Sequence, residues 1–437
     1  MSEACFKDSG IEWIGKIPKH WEIWKLKYLA RAYTGNSIKD DEKDFYTDPQ
    51  DAIPYIATKD ICRETQKCDY NNGLYIHNSN KNFKRAKKHS TLLCIEGGSA
   101  GKKLTYLNTD VCFVNKLCCI EALKGFNGKW LFYFLQSREF LTEFGLRLNG
   151  LIGGVSLEKF KRFYIPLPPL QEQEAIAHYL DEKTQTIDEL ISAHQKSIEK
   201  LKDYRTSLIS EVVTQGLDKN AKLKDSGIEW IGKIPKHWEI GKVKHYYQIA
   251  TGFTPSSDNE TFYDDENGHI WITISDLKEK FIADSFSKIS QFYIDQYKPK
   301  TIPKNSLLYS FKLSVGAVAF NKVDVFTNEA IASFFDNDKI SLPFLYYSSR
   351  FIVFNANENI YGAKILNQNL IKNAKIVFPP LQEQEAIARY LDEKTQAIDE
   401  LISAHQKSIE KLKDYRTSLI SEVVTGKKNL QGIDNGN

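Results

Sequence analysis

The sequence predicts an α+β protein made of two mixed helix-and-sheet domains separated by two long helices. The helices pack as an antiparallel coiled coil, and the whole is an internal repeat with approximate two-fold symmetry. Three observations predict it. Asp8 to Ile23 (DSGIEWIGKIPKHWEI) recurs letter for letter at Asp225 to Ile240. Pro168 to Thr214 recurs at Pro379 to Thr425 with only His178/Arg389 and Thr186/Ala397 changed. The segments in between, Trp24 to Leu167 and Gly241 to Phe378, are largely unlike each other. A unit of roughly 210 residues present twice is too long for a solenoid repeat and reads as tandem domains. The expected divisions are a first domain at 1–167, a helical connector at 168–215, a second domain at 216–378, a second connector at 379–425 and a flexible tail at 426–437.

A chain of 437 residues, 42% apolar and 12% aromatic, has ample material for packed cores. No apolar run approaches the ~20 residues that span a bilayer, and Met1 to Gly10 does not resemble a signal peptide, so a cytoplasmic location is expected. Of the seven cysteines, Cys62, Cys68, Cys94, Cys112, Cys118 and Cys119 fall in the first unlike segment, without the spacing of a zinc site. They are expected to be buried, reduced thiols, and no metal site is expected. A net charge of +3 is too small for a bulk positive field, so any nucleic-acid contact must come from local clustering.

Each connector follows a proline pair, Pro168-Pro169 or Pro379-Pro380, which ends the preceding element. From there the apolar positions step by seven: Leu180, Ile187, His194, Leu201 and Leu208, and in the second copy Leu391, Ile398, His405, Leu412 and Leu419. A sustained heptad marks a coiled-coil seam. Two identical seams in one chain complement each other, and long domains between them favour antiparallel pairing. His194 and His405 read as seam residues that fix register, with a pH switch or ligand site as the alternative. A break near Asp181 to Thr184 would part a short helix from the long one.

The unlike segments carry short β-rich runs (Thr91 to Ile95, Ala317 to Phe320, Val323 to Phe326) and helical stretches near Trp130 to Phe144 and Leu342 to Phe354. Thr34-Gly35 stands at the same offset as Thr251-Gly252. LLCIEGGSAGKK (Leu92 to Lys103) parallels LLYSFKLSVGAV (Leu307 to Val318), with Gly101 opposite Gly316. One fold with different loops is expected, and such loops usually hold binding specificity. In the first domain Lys81, Lys84, Arg85, Lys87 and Lys88 surround Phe83, and Lys102 and Lys103 follow a turn containing Gly98 and Ser99. This pattern suits contact with phosphates, while neighbouring polar side chains read bases. The second domain has a thinner set, Lys298, Lys300, Lys304 and Lys312, beside the acidic loop Asp258 to Glu266. Its candidate base readers are Thr254, Ser256, Ser257, Asn259, Lys312 and Ser314.

Catalytic signatures are missing. A Walker A loop over Gly97 to Lys103 would need glycine at Glu96 and Ser or Thr at Lys103. Phe378-Pro379-Pro380-Leu381 lacks the Asn or Asp of the amino-methyltransferase motif. No catalytic residue is assigned. A DNA-reading protein and a tandem adaptor for protein or carbohydrate with a coiled-coil spacer both fit, and salt dependence separates them.

The DSGIEWIGKIPKHWE opening of each half, the Thr-Gly pairs at Gly35 and Gly252, and the PPLQEQEAIA…YLDEKTQ…SIEKLKDYRTSLISEVVT blocks resemble the specificity subunit of type I restriction-modification systems over essentially the whole length. The resemblance implies two target-recognition domains, each reading half of a bipartite asymmetric site in double-stranded DNA, and helices that bind two modification subunits. It places S-adenosylmethionine in the modification subunits, and ATP and Mg2+ in two restriction subunits, with no cofactor in this chain.

Overall fold

The computed structural model describes residues 6–148, 153–337, 340–358, 364–428 and 430. It divides into two compact units, Met1–Lys196 with His405–Asn437, and Ser197–Ala404. The division falls inside two long helices, Leu170–Gln215 and Leu381–Val424. Each unit therefore holds one mixed domain, the start of the helix that follows it, and the end of the other helix.

In the first unit a hairpin, Phe6–Asp8 with Lys16–Pro18, leads into Glu22–Lys25, which pairs antiparallel with Tyr164–Leu167 just before the helix. The main sheet has the antiparallel order Ala30–Thr34, Leu117–Ala122, Thr91–Cys94, Leu104–Tyr106. A second sheet has the order Tyr75–His77, Ala52–Ile56, Val111–Phe113, Arg85–Ala86, with Val111–Phe113 parallel to Ala52–Ile56. Leu93, Cys118 and Ile120 face a core shared with Trp130, Phe140, Leu180, Ile187, Leu419 and Val423. Their neighbours Leu92, Cys94, Leu117 and Cys119 face the other way, onto Ile56 and Phe113. Both faces are covered, so these strands read as unbroken apolar runs.

The second unit repeats this plan. Its hairpin is Leu223–Asp225 with Lys233–Pro235, and Glu239–Lys242 pairs with Lys375–Phe378. The main sheet runs Ile249–Thr251, Ile331–Phe334, Leu307–Ser310, Val318–Asn321, with an added edge strand Phe281–Ile282. Its core takes Leu208, Ile209 and Val212 from the first long helix and Ile387, Leu391 and Ile398 from the second.

The helical stretches divide more finely than expected. Trp130 to Phe144 is split into Gly128–Phe134 and Arg138–Leu146 because the Ser137 hydroxyl caps the amide of Phe140 at 3.1 Å. Leu342–Ser348 tightens into 3-10 turns over Ser349–Asn355. The run Val323 to Phe326 gives only the short strand Phe326–Thr327, with Val325 bridging to Ile302. The equivalence of the two halves also shifts by one. Lys88 and Lys304 donate their amides to Asp110 and Asp324, each at 2.8 Å, and the next residues, His89 and Asn305, share a left-handed backbone. Leu92 therefore matches Leu308, not Leu307, and the one-residue error would turn every side chain to the wrong face. Gly101 still matches Gly316: their amides bond to Cys94 O and Ser310 O, across a loop one residue shorter in the second unit.

The long helices run 46 and 44 residues without a break; the first is about 69 Å long. At the expected break the Thr184 and Thr395 hydroxyls bond back to Leu180 O (2.6 Å) and Leu391 O (2.7 Å), and the backbone stays helical. Tyr133 and Tyr347 donate to Asp181 and Asp392 on the same turn. Within the first unit His194 meets His405 (Nδ1 to Nδ1, 2.7 Å), Asp188 meets Arg416 (3.3 Å), and the Tyr179 ring meets Lys428. One number falls as the other rises, so the segments are antiparallel. In the second unit Arg205 pairs with Asp399 at 3.4 Å. Leu201 is half-buried there and Leu208 buried, and in the first unit Leu412 is half-buried and Leu419 buried.

The two repeated strings touch each other inside each unit. Trp21 Nε1 and His20 Nε2 bond the Glu172 carboxylate at 2.8 and 2.7 Å, and Trp238 and His237 bond Glu383 at 2.9 and 2.7 Å. Gln173 and Gln384 donate to Pro168 O and Pro379 O, each at 2.8 Å, which fixes the helix starts. Gly216 and Gly426 end the helices with positive φ. A Cβ would stand 3.0 Å from Trp238 at Gly216 and 2.4 Å from Pro18 at Gly426. The expected tail starts tied down, with Lys427 bonded to Glu139 at 2.9 Å; beyond residue 430 it lies outside the described residues.

Four cysteines, Cys94, Cys112, Cys118 and Cys119, are buried, but Cys62 is exposed and Cys68 half-buried, against the expectation that all six would be inside. Cys68 is bridged to Ile61, and Cys62 is the residue that follows Ile61.

Candidate nucleic-acid interface

One end of each main sheet collects the loops. In the first unit Ala30–Thr34 and Thr91–Cys94 finish there, and Leu104–Tyr106 and Leu117–Ala122 begin there, because neighbours are antiparallel. The second unit has the same end at Thr251, Ser310, Val318 and Ile331. Gly35 and Gly252 are required at this edge by a close backbone crossing. A Cβ would lie 1.8 Å from Phe113 O at Gly35 and 1.7 Å from Thr327 O at Gly252. The same carbonyls accept the amides of Asn36 and Phe253, each at 2.9 Å.

The lysine-rich string of the first unit does not form one patch. Arg85–Ala86 is a strand against Val111–Phe113, and it sends the residues before and after it to opposite ends. Lys84 Nζ bonds Thr34 O at 2.8 Å, at the loop end. Lys87 and Lys88 are exposed at the far end, beside Asp110. Arg85 and Lys81 turn back onto Asn78 O at 2.6 and 3.1 Å. Gly98, Ser99, Lys102 and Lys103 are at the loop end. Ser99 O takes the amides of Lys102 and Lys103, and Lys103 Nζ bonds Thr58 O at 2.9 Å. Of the expected cations Lys84, Lys102 and Lys103 therefore lie at that end, with the Lys102 side chain exposed.

In the second unit the structure joins two expected residues through one that sequence reasoning missed. Thr254 donates its hydroxyl to Glu329, and Lys312 Nζ lies 3.6 Å from the same carboxylate. The hydroxyl bond, ahead of all else, holds the Glu329 carboxyl below the usual carboxylate range. Ser256, Ser257 and Ser314 are exposed on the flanking loops. Leu313, between Lys312 and Ser314, is 91% exposed with φ +56°. Asn259 is taken up in capping, accepting the Thr261 amide at 3.1 Å. Lys300 lies over the Phe335 ring, and Lys304 is at the far end beside Asp324. Among the described residues no cluster of His, Cys, Asp or Glu is placed to hold a metal ion, and no helix is long and apolar enough to cross a membrane.

Two loop ends on one repeated frame, each fastened to a repeated helical clamp, define a duplicated recognition protein. The chain belongs to the type I restriction modification DNA specificity domain family, whose model matches residues 18–200 and 235–411. It is a DNA-binding specificity subunit of the type I restriction-modification class, and subunits of this kind are non-catalytic. The MjaVIII specificity subunit of Methanocaldococcus jannaschii is 24% identical over 443 residues, spanning 96% of this chain and 95% of that protein. The crystal structure of the HsdS subunit from Thermoanaerobacter tengcongensis shares the fold at TM-score 0.55 and 17% identity, over 94% of this chain and 98% of that one. A chain from a structure on complex assembly and conformational transition of the type I R-M system matches at TM-score 0.73 and 16% identity, over 94% of this chain and 99% of that one.

Proposed function

We propose that each unit reads one half of a bipartite, asymmetric site in double-stranded DNA through the loop end of its main sheet. The helical connectors dock two modification subunits, and two restriction subunits complete the assembly. In this reading the partners hold S-adenosylmethionine, ATP and Mg2+ and carry out adenine N6 methylation, translocation and cleavage, while this chain selects the sequence and itself holds no cofactor. The observation that carries the reading is the contrast within each unit. The clamps Trp21–Glu172 and Trp238–Glu383 are the same, whereas the loops beyond Gly35 and Gly252 differ in length, charge and side chains. Identical docking elements suit two copies of one partner, and unlike loops suit two unlike half-sites.

Single-molecule sequencing of N6-methyladenine in the host genome, with and without this gene, tests it. Loss of one bipartite motif with a fixed spacer is the expected result. An unchanged methylome, while the modification subunit is expressed, would remove the reading.

A further inference from the structure

We propose that one turn position reads a base edge in each unit, Glu329 a cytosine in the second half-site and Asn115 an adenine in the first. The inference rests on the reading that the loop ends face DNA. The two positions are the same point of the frame. Each lies two residues beyond the carbonyl that receives the amide after the close-approach glycine, Thr327 for Glu329 and Phe113 for Asn115. The turn closes alike, with Ile331 N to Asn328 O at 3.2 Å and Leu117 N to Val114 O at 3.1 Å. The next carbonyl ties to the neighbouring loop alike, with Phe311 N to Ala330 O at 3.0 Å and Ile95 N to Lys116 O at 3.1 Å. Two places after the glycine both units carry a hydroxyl residue, Thr254 or Ser37.

On that shared turn the chemistry differs. Glu329 is an acceptor-only side chain, steadied by the Thr254 hydroxyl and the Lys312 amine. Phosphates repel a carboxylate, so it is no backbone anchor. It does match the cytosine N4 amino group in the major groove, and Lys312 beside it offers donors to the guanine of the same pair. Asn115 is exposed and carries one donor and one acceptor group, which match adenine N6 and N7.

The test maps N6-methyladenine in the host for the unaltered chain, Glu329→Gln and Asn115→Asp. Absence of any bipartite motif with the unaltered chain would sink the loop-end reading, and this proposal with it. With that motif present, Glu329→Gln is expected to relax one C·G position of one half-site, lowering discrimination there by roughly 5- to 150-fold, and to leave the other half-site intact. Asn115→Asp is expected to relax one A·T position in the opposite half only. Competition binding of the purified complex to duplexes bearing each of the four pairs at that position reads the same change without methylation. If Glu329 only steadies Thr254 and Lys312, glutamine still accepts the hydroxyl bond and the motif stays as it was. An unchanged motif, or an even loss of binding to all four duplexes, overturns the proposal.

Discussion

Replacing Glu172 or Glu383 by alanine removes the group on which each repeated clamp closes. Trp21 and Trp238 are 2% and 0% exposed, so each indole N–H would lose its partner inside the protein. Orphaning such a donor costs about 1–3 kcal/mol. Removing a negative charge from the first turn of a helix adds about 0.3–1 kcal/mol. Glu383 is the more exposed of the two, so its charge contributes at the lower end. Together each change should cost roughly 1.3–4 kcal/mol, which for a unit of roughly 200 residues lowers Tm by about 3–16 °C. Scanning calorimetry of the purified chain measures it. Glu172→Gln and Glu383→Gln keep an acceptor for the indole and should lose about half as much. A loss below about 2 °C for both alanine variants would refute the clamp, as would a large loss for one and none for the other, since the contacts match atom for atom.

Gly35→Ala and Gly252→Ala force a methyl into a carbonyl oxygen, and each should lower the urea midpoint by the equivalent of about 3 kcal/mol or more. Leu180→Ala and Leu391→Ala, both fully buried beneath a domain, should each cost about 2.7–5 kcal/mol in the same assay. Burial pushes the Cys112 thiol up to about 11, against 9.0 ordinarily, so the fold keeps a proton that the unfolded chain releases. Its contribution is complete below pH 9 and is lost as pH rises toward 11; urea midpoints at pH 8 to 10.5 should fall less steeply in Cys112→Ala. Cys62 should react with a maleimide at pH 7.5 under native conditions, while Cys94, Cys112, Cys118 and Cys119 react only on unfolding.

The long helices were legible because a heptad repeats in plain view and because the chain prints it twice. The break near Asp181 was not excluded by pattern, since the tyrosine hydroxyl that holds this turn's aspartate arrives from another element. The main sheet was harder. Thr91–Cys94 is buried on both faces, so no alternation marks which leucine points where, and the register slipped by one. The lysine string looked like one patch because the strand that divides it, Arg85–Ala86, has only two residues and no propensity signal. Glu329 left no mark beyond its place after a Thr-Asn pair. The signal that finds it is the tight crossing at Gly252, and that crossing is a distance, not a letter.

Trp21 touches the beginning of the first long helix through Glu172 and packs where the second long helix ends, at Gly426. In the second unit Trp238 does the same, through Glu383 at the start of the second long helix and against Gly216 at the end of the first. Loss of either tryptophan would therefore loosen the start of one long helix and the end of the other together.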